Sequence, residues 1–398
     1  MRDATVLISG AGIAGTALAY WLRRHGFRPT VVERAPEIRA GGYKVDIRGA
    51  ALDVVTRMGL REDIRAHRTD VRGGSVVNAA GKRVASMDGD TFGGRQGEDA
   101  EILRGDLNRM LYEASKGEVE YLFDDAIDAI DDTGDRVGVT FASGRVDSYD
   151  LVVGADGLHS ATRALAFGDE KRFIHDLGYY VSIFSVPNHL ELDRWELTYV
   201  GPGRTALTYS TAKDHGAKAM FLFASTPLEY DRRDRTAQER LLADAYAGEG
   251  WEVPRLLESM DAAPDFYFDS LSQVRMDHWS TGRVALLGDA AYCASPASGQ
   301  GTSLALVGAY VLAGELAAAQ DHAAGLASYE REMRPFVEQN QKLGPANIKR
   351  MVLRSAGQVR ISMAMLSLLG RLPGKEKLMA KAIEPIHKAA TAITLKEY

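Results

Sequence analysis

Three short stretches hold the residues whose types and spacing could do chemistry. In the first, the apolar run Val6-Leu7-Ile8 leads through Ser9 into Gly10-Ala11-Gly12-Ile13-Ala14-Gly15, a Gly-x-Gly-x-x-Gly pattern. Such glycines permit a tight turn, let backbone approach a pyrophosphate, and seat the next helix on its strand. Glu33 closes a second apolar run over 29–32, at a spacing that suits an acidic residue hydrogen-bonded to ribose hydroxyls, and Arg34 follows it. The second stretch, 154–163, carries Asp156, Gly157, His159, Ser160 and Arg163. The third begins at Gly288-Asp289 and continues through Pro296, Gly299, Gln300 and Gly301 into a long apolar run. A strand, a glycine-rich loop and a helix start point backbone N–H groups at something anionic. Taken singly, Asp156 reads equally well as a helix cap and Asp289 as a buried turn carboxylate. Neither Ser-His-Asp spacing nor a metal-ligand cluster is found, since the nine histidines are scattered and Cys293 stands alone. Spacing therefore gives no reason to propose a catalytic triad or a metal site.

The elements that must position these residues can be read from periodicity. Continuous apolar runs predict buried parallel strands at 6–9, 29–32, 150–153 and 282–287. Helical spacing predicts helices over 13–25, 50–58, 104–115 and 302–319. Residues 71–87 read as a hairpin with its turn at 78–81. The stretch 173–275 changes character: short segments rich in β-branched and aromatic residues predict an antiparallel sheet with helices at 236–248 and 251–260. The tail is helical in pattern, with Met363, Leu366, Leu369 and Leu372 as an apolar stripe expected to pack on the core. The fold class is thus α/β: a Rossmann-like nucleotide domain (1–172 and 276–340), an inserted antiparallel-sheet substrate domain (173–275) and a C-terminal helical segment (341–398).

Composition narrows the function. Hydrophobic content of 45% and charged content of 26% suit a globular protein. A net charge of −6 argues against a general nucleic-acid role, which needs a basic surface. One cysteine rules out an internal disulfide and fits a reducing, cytoplasmic setting. No apolar run is read as long enough to span a bilayer, so no membrane role is expected.

Together and in this order the three stretches resemble the FAD-dependent aromatic hydroxylases, single-component class A flavoprotein monooxygenases of the p-hydroxybenzoate hydroxylase fold. The likeness is greatest to polyketide-tailoring and tetracycline-modifying members and spans nearly all of residues 4–340. It implies FAD, with Gly10, Gly12, Ile13, Ala14, Gly15, Glu33 and Arg34 at its ADP half. Asp156, Gly157 and Arg163 would serve FAD and the pyridine nucleotide. Asp289, after Gly288, would contact ribityl or ribose hydroxyls. Pro296, Gly299, Gln300 and Gly301 would lie by the isoalloxazine, and Arg104 would contact the flavin side chain. The chain departs from many relatives at Tyr292, Ser303 and Val307-Gly308. The resemblance further implies NADPH (or NADH) as co-substrate, O2, and a flavin C4a-hydroperoxide that hydroxylates an aromatic or polyketide-like small molecule. Baeyer–Villiger oxidation, halogenation, another oxidation or reduction, and non-catalytic flavin binding are the alternatives. Asp46, Arg48 and Tyr209 are the candidate substrate residues. His159 reads as structural or phosphate-adjacent rather than as an acid–base group. A monomer or homodimer is expected.

Overall fold

The apolar runs become one six-stranded sheet in the computed structural model, which describes residues 3–39, 41–213, 216–369 and 375–398. Its order is Ser280–Thr281, Val284–Leu286, Leu151–Gly154, Thr5–Ser9, Arg28–Glu33 and Glu120–Phe123. All neighbours are parallel except the first pair. Val6, Leu7 and Ile8 are fully buried because both faces of the sheet are covered. Helices Ile13–Arg24 and Gly301–Ala318 pack on one face and on each other. A three-stranded antiparallel sheet (Ile127–Asp132, Val137–Phe141, Val146–Tyr149) covers the other, where Val137, Val139 and Phe141 meet Leu7, Val32 and Val152.

Gly301–Ala318 is, by length and composition, apolar enough to cross a membrane, which corrects the sequence reading. Its apolar character has another cause here: 78% of it is buried inside the protein, as the helix around which the core closes.

The second large sheet has seven strands, ordered Tyr267–Val274, Ile174–Val186, Ala217–Ala224, Arg204–Tyr209, Trp195–Gly201, Gly73–Val77 and Arg83–Asp88. The expected hairpin over 71–87 is present, but Gly73–Val77 pairs in parallel with Trp195–Gly201. This sheet therefore draws two strands from the stretch that the sequence reading gives to the nucleotide domain. Helices Arg235–Ala245 and Val253–Glu258 lie against its aromatic face. Between the two large sheets runs a two-stranded ribbon, Lys44–Ile47 with Ala100–Leu103. Strand alternation sends Val45 and Ile47 into the helical core, and Lys44 and Asp46 to the opposite face.

The tail forms helices His322–Met351, Ala356–Leu369 and Lys375–Ala390. Met363 and Leu366 are half-buried as the stripe predicts. The side chain of Leu369 and all of Leu372 lie outside what the structure describes. Ile361, Met365 and Leu368 occupy the other face of that helix and are exposed.

Candidate functional site

The first glycine loop shows three separate reasons for glycine. Gly10 has φ +102°, and a Cβ there would stand 2.8 Å from the Ala155 carbonyl oxygen. A Cβ on Gly15 would stand 1.9 Å from the Gly10 carbonyl oxygen, so only glycine lets the helix sit on the turn. At Gly12 the nearest atom to such a Cβ is an Arg104 guanidinium nitrogen at 3.9 Å, which leaves this side open. Gly12 caps helix Ile13–Arg24 without a side-chain hydrogen bond. Ile13 and Ala14 bury their side chains, so what they present to a ligand is backbone N–H and the positive end of the helix. Glu33 braces the loop: its carboxylate accepts from Ala11 N–H (2.8 Å) and Ala35 N–H (2.9 Å). A carboxylate has further lone pairs, so a ribose hydroxyl can still donate to it. Arg34 is exposed beside it.

Arg104 opens helix Arg104–Glu113, and its backbone N–H donates to the Tyr43 carbonyl (2.9 Å). Its guanidinium faces Gly12, is electrostatically coupled to Asp289, and has no hydrogen bond or ion pair to a described residue. Asp289 is open to solvent yet walled in by protein. That poor solvation raises its carboxyl pKa, against the opposing Cys293 hydrogen bond and Arg104 charge. The Gly288 turn (φ +65°) rests on Ala14, and Asp289 Oδ1 comes within 3.9 Å of where a Gly301 Cβ would be. Two helix starts, one free guanidinium and one carboxylate thus face a common space. Beside it Gln300 is fully buried, and its amide nitrogen and oxygen have no partner among the described residues, nor has the Ser303 hydroxyl. Pro296 and Gly299 line the exposed side of the same loop. The open Gly12 cradle, the unpaired Arg104 and the orphaned Gln300 amide fit the FAD that the resemblance implies, since each lacks a partner that a phosphate or a flavin edge would supply.

The second stretch works differently. Asp156 accepts from Ser160 Oγ (2.5 Å), Thr162 N–H (2.9 Å) and Thr162 Oγ1 (3.0 Å). The N-cap of helix Ala161–Phe167 is Ser160, whose hydroxyl accepts from Arg163 N–H (2.9 Å), and Asp156 braces that first turn through Ser160 and Thr162. Arg163 is fully buried and donates to the carbonyls of Ala290 (2.8 Å) and Leu158 (2.7 Å). It ties the second stretch to the third, and its Nε has no partner among the described residues. Gly157 supplies the left-handed turn between them (φ +85°). His159 bridges two carboxylates, Asp269 and Glu170.

Of the substrate candidates, Tyr209 reaches no open space. It is fully buried, accepts a hydrogen bond from Lys44 N–H (3.3 Å), and lies under the Lys44 ammonium at 4.7 Å. This corrects its expected role to support of the ribbon. Asp46 and Arg48 pair at 2.8 Å, and both are largely buried. Asp46 Oδ1 and Arg48 Nε have no partner among the described residues. Burial raises the Asp46 pKa, and the Arg48 charge opposes it.

Sequence reasoning missed the charges around them. Lys44 pairs with Glu196 (2.8 Å) and Glu101 (3.4 Å), and Arg95 pairs with Glu101 (2.9 Å). Burial pushes the Glu101 pKa up, but the Lys44 and Arg95 charges together hold it below the usual value. No local signal could have found the Lys44 pairs, because Lys44, Glu101 and Glu196 meet across strands far apart in the chain. The aromatic residues of the second sheet mostly serve its core: Tyr180, Phe184, Phe221 and Phe223 pack with Leu242 and Tyr246. Tyr43 and Tyr267 do approach each other, with ring centroids 6.4 Å apart, beside Asp289.

The family model described as an FAD binding domain matches residues 3–343. The chain is 50% identical over 347 residues to an uncharacterized protein of Mycobacterium tuberculosis (strain ATCC 25618 / H37Rv), covering 86% of this chain and 93% of that one. It is 41% identical over 345 residues to a flavin-dependent monooxygenase of Legionella longbeachae serogroup 1 (strain NSW150), covering 86% and 88%. Among solved structures, the tetracycline destructase Tet(51) superposes with a TM-score of 0.87 at 38% identity, with all of both chains covered.

Proposed function

Because the chain belongs to the FAD-binding flavoprotein monooxygenases and is an FAD-dependent monooxygenase, we propose that it uses NAD(P)H and O2 to hydroxylate an aromatic or polyketide-like small molecule, with fused-ring compounds of the tetracycline kind as the first class to try. The balance is RH + O2 + NAD(P)H + H+ giving ROH + H2O + NAD(P)+. Bound FAD supplies the electron transfer from NAD(P)H and the activation of oxygen. The protein supplies binding, orientation and exclusion of water. The observation that carries the reading is the convergence of the Gly12 helix start, the unpaired Arg104, Asp289 and the Gly301 helix start on one space.

In this reading the N–H groups after Gly12 hold the phosphates and Glu33 takes a ribose hydroxyl. Arg104 takes a phosphate or the flavin side chain, and Asp289 takes ribityl hydroxyls. Gln300, whose amide is otherwise unmet, orients the flavin edge. Asp46 and Arg48, each with one unmet polar atom, are the substrate residues we retain. Residues 1–172 and 276–340 serve the cofactor, 173–275 the substrate, and 341–398 close the helical side. The 71–87 hairpin moves with the substrate sheet that it joins. A cytoplasmic monomer or homodimer completes the proposal.

The test is the visible spectrum of the purified protein, followed by anaerobic NADPH addition with and without phenols and tetracycline. Flavin bands that bleach faster with one compound, and a product one oxygen heavier, support the hydroxylase. A ring-expanded product moves the assignment to Baeyer–Villiger chemistry. Bound FAD that no pyridine nucleotide reduces leaves only a flavin-binding protein.

A further inference from the structure

A line of titratable groups leads from the Tyr43–Tyr267 side of the cleft to the surface. Tyr267, 38% exposed, is coupled electrostatically to Tyr43, Asp289 and Cys293. Its hydroxyl lies 3.3 Å from Asp269 Oδ2. Asp269 is buried, with both carboxylate oxygens 3.1 Å from His159 Nε2. The other imidazole nitrogen lies 3.3 Å from Glu170 Oε2, at a part-exposed rim where Arg232 reaches both His159 and Glu170. Other groups around Asp269 are Ser270 N–H, which donates to Oδ1 (2.8 Å), and the hydroxyls of Tyr230 and Tyr180. The three segments, around 159, 170 and 269, meet only in the fold. Neither the Gly-Asp turns nor the glycine loops require an imidazole held between two carboxylates.

We infer that His159, Asp269 and Tyr267 form a proton path from solvent to the cleft, which delivers the one proton that the proposed reaction consumes. The inference rests on the proposed function. In each passage His159 Nε2–H gives its proton to Asp269, and Asp269 passes one to the Tyr267 oxygen. Tyr267 releases its own hydroxyl proton into the cleft. His159 enters each passage as an imidazolium, having taken a proton from rim water at Nδ1, and its ring then turns to bring the remaining N–H back to Asp269, so no group changes net. Two features favour such exchange. Burial raises the Asp269 pKa to about 6, close to that of an ordinary imidazole, so the transfer between them costs little. Tyr267, like any tyrosine, is a phenol between pH 6 and 9, able to accept and donate at once.

Two measurements test the path. In the first, protein labelled with 15N-histidine is titrated by NMR, with the His159 signal assigned by its loss in His159→Gln. Asp269→Asn is expected to lower the His159 midpoint by about one pH unit. An unmoved midpoint overturns the proposal. In the second, FAD-loaded protein reduced with dithionite is mixed with oxygenated buffer between pH 6 and 9, and the return of flavin absorbance is followed. This half-reaction, FADH− + O2 + H+ giving FAD + H2O2, takes up the proton without NADPH or substrate. His159→Ala is expected to slow it about a hundredfold at pH 8, with most of the rate restored by added imidazole. Tyr267→Phe is expected to slow it similarly without rescue. An unchanged rate, or a slow rate that imidazole leaves slow in protein of wild-type melting temperature, overturns the path and leaves His159 a structural bridge. Protein that takes up no FAD, or whose FAD no pyridine nucleotide reduces, defeats the functional reading, on which the path rests, and an unmoved NMR midpoint overturns the path by itself.

Discussion

The glycine loop at 10–15 and the charged seam around Lys44 lie on two sides of the same ribbon and are built in opposite ways. The loop is local: six consecutive residues set its turn, and its tightest contact, Gly15 on the Gly10 carbonyl, spans five positions. The seam is assembled from afar, with Lys44 reaching Glu101 and, 152 positions along the chain, Glu196, while Arg95 adds a nearer contact to Glu101. A local device tolerates no change in shape but is indifferent to charge. A long-range ionic device tolerates shape better and depends on every charge being matched.

Substitutions can break that contrast, and the largest effect is expected in the loop. Gly15→Ala sets a methyl against a backbone carbonyl that cannot move aside. It should cost more than about 4 kcal/mol, seen as loss of soluble, FAD-binding protein. Gly12→Ala is its control: with space around it, the protein should keep its melting temperature while FAD affinity falls about tenfold or more. A Gly12→Ala protein that melts early would mean that the loop is tight throughout.

Lys44→Met comes next. It leaves Glu196 and Glu101 buried without their shared cation, and should cost about 3–5 kcal/mol by chemical denaturation. The seam should also set an acid limit. Glu101 is held below its ordinary value when folded, so its contribution is present at neutral pH and lost as pH falls through and below the usual glutamate range. Glu101→Gln should blunt that acid loss and lower stability at pH 7.

A smaller effect of opposite sign belongs to Asp269. Its folded pKa of about 6 lies above the ordinary aspartate value of 3.8, so the stability it contributes is greatest at low pH and lost as pH rises between about 4 and 6. Asp269→Asn should flatten that window, a difference of roughly 2–3 kcal/mol in denaturation midpoints compared across it. Smallest is Ser303→Ala. It removes a buried hydroxyl with no described partner, and should leave or raise the stability of FAD-free protein by about 1 kcal/mol.

The same contrast explains which features the sequence announces. Gly10, Gly12, Gly15 and Glu33 are readable because each acts on a neighbour along the chain, and the strands beside them because burial on both faces leaves an unbroken apolar run. The hairpin at 71–87 is readable as a hairpin, but its parallel partner Trp195–Gly201 is not, since nothing in either strand names the other. Strand Tyr267–Val274, which carries Asp269, has no individual signal in the sequence reading. Tyr209 misleads because an aromatic on a strand points to pocket or core with equal ease, and alternation fixes the face only once the register is known. Asp156 and Arg163 stand where the motif puts them, and the hydrogen bonds that tie them to Thr162 and the Ala290 carbonyl are not legible from spacing.

The order of the six-stranded sheet has a consequence for how this chain is made. Leu151–Gly154 pairs on one side with Thr5–Ser9 and on the other with Val284–Leu286, about 130 residues further on. At ribosomal speeds of about 5–20 residues per second, that flank waits roughly 6–26 s for its partner. Throughout that interval a nascent chain carries an apolar strand with an unpaired edge, open to pairing with other chains. The intervening residues include the whole run from Ile174–Val186 to Tyr267–Val274, so the second sheet can assemble while the first is still open. Slowed elongation between 155 and 283 should therefore raise aggregation during synthesis without altering the finished molecule.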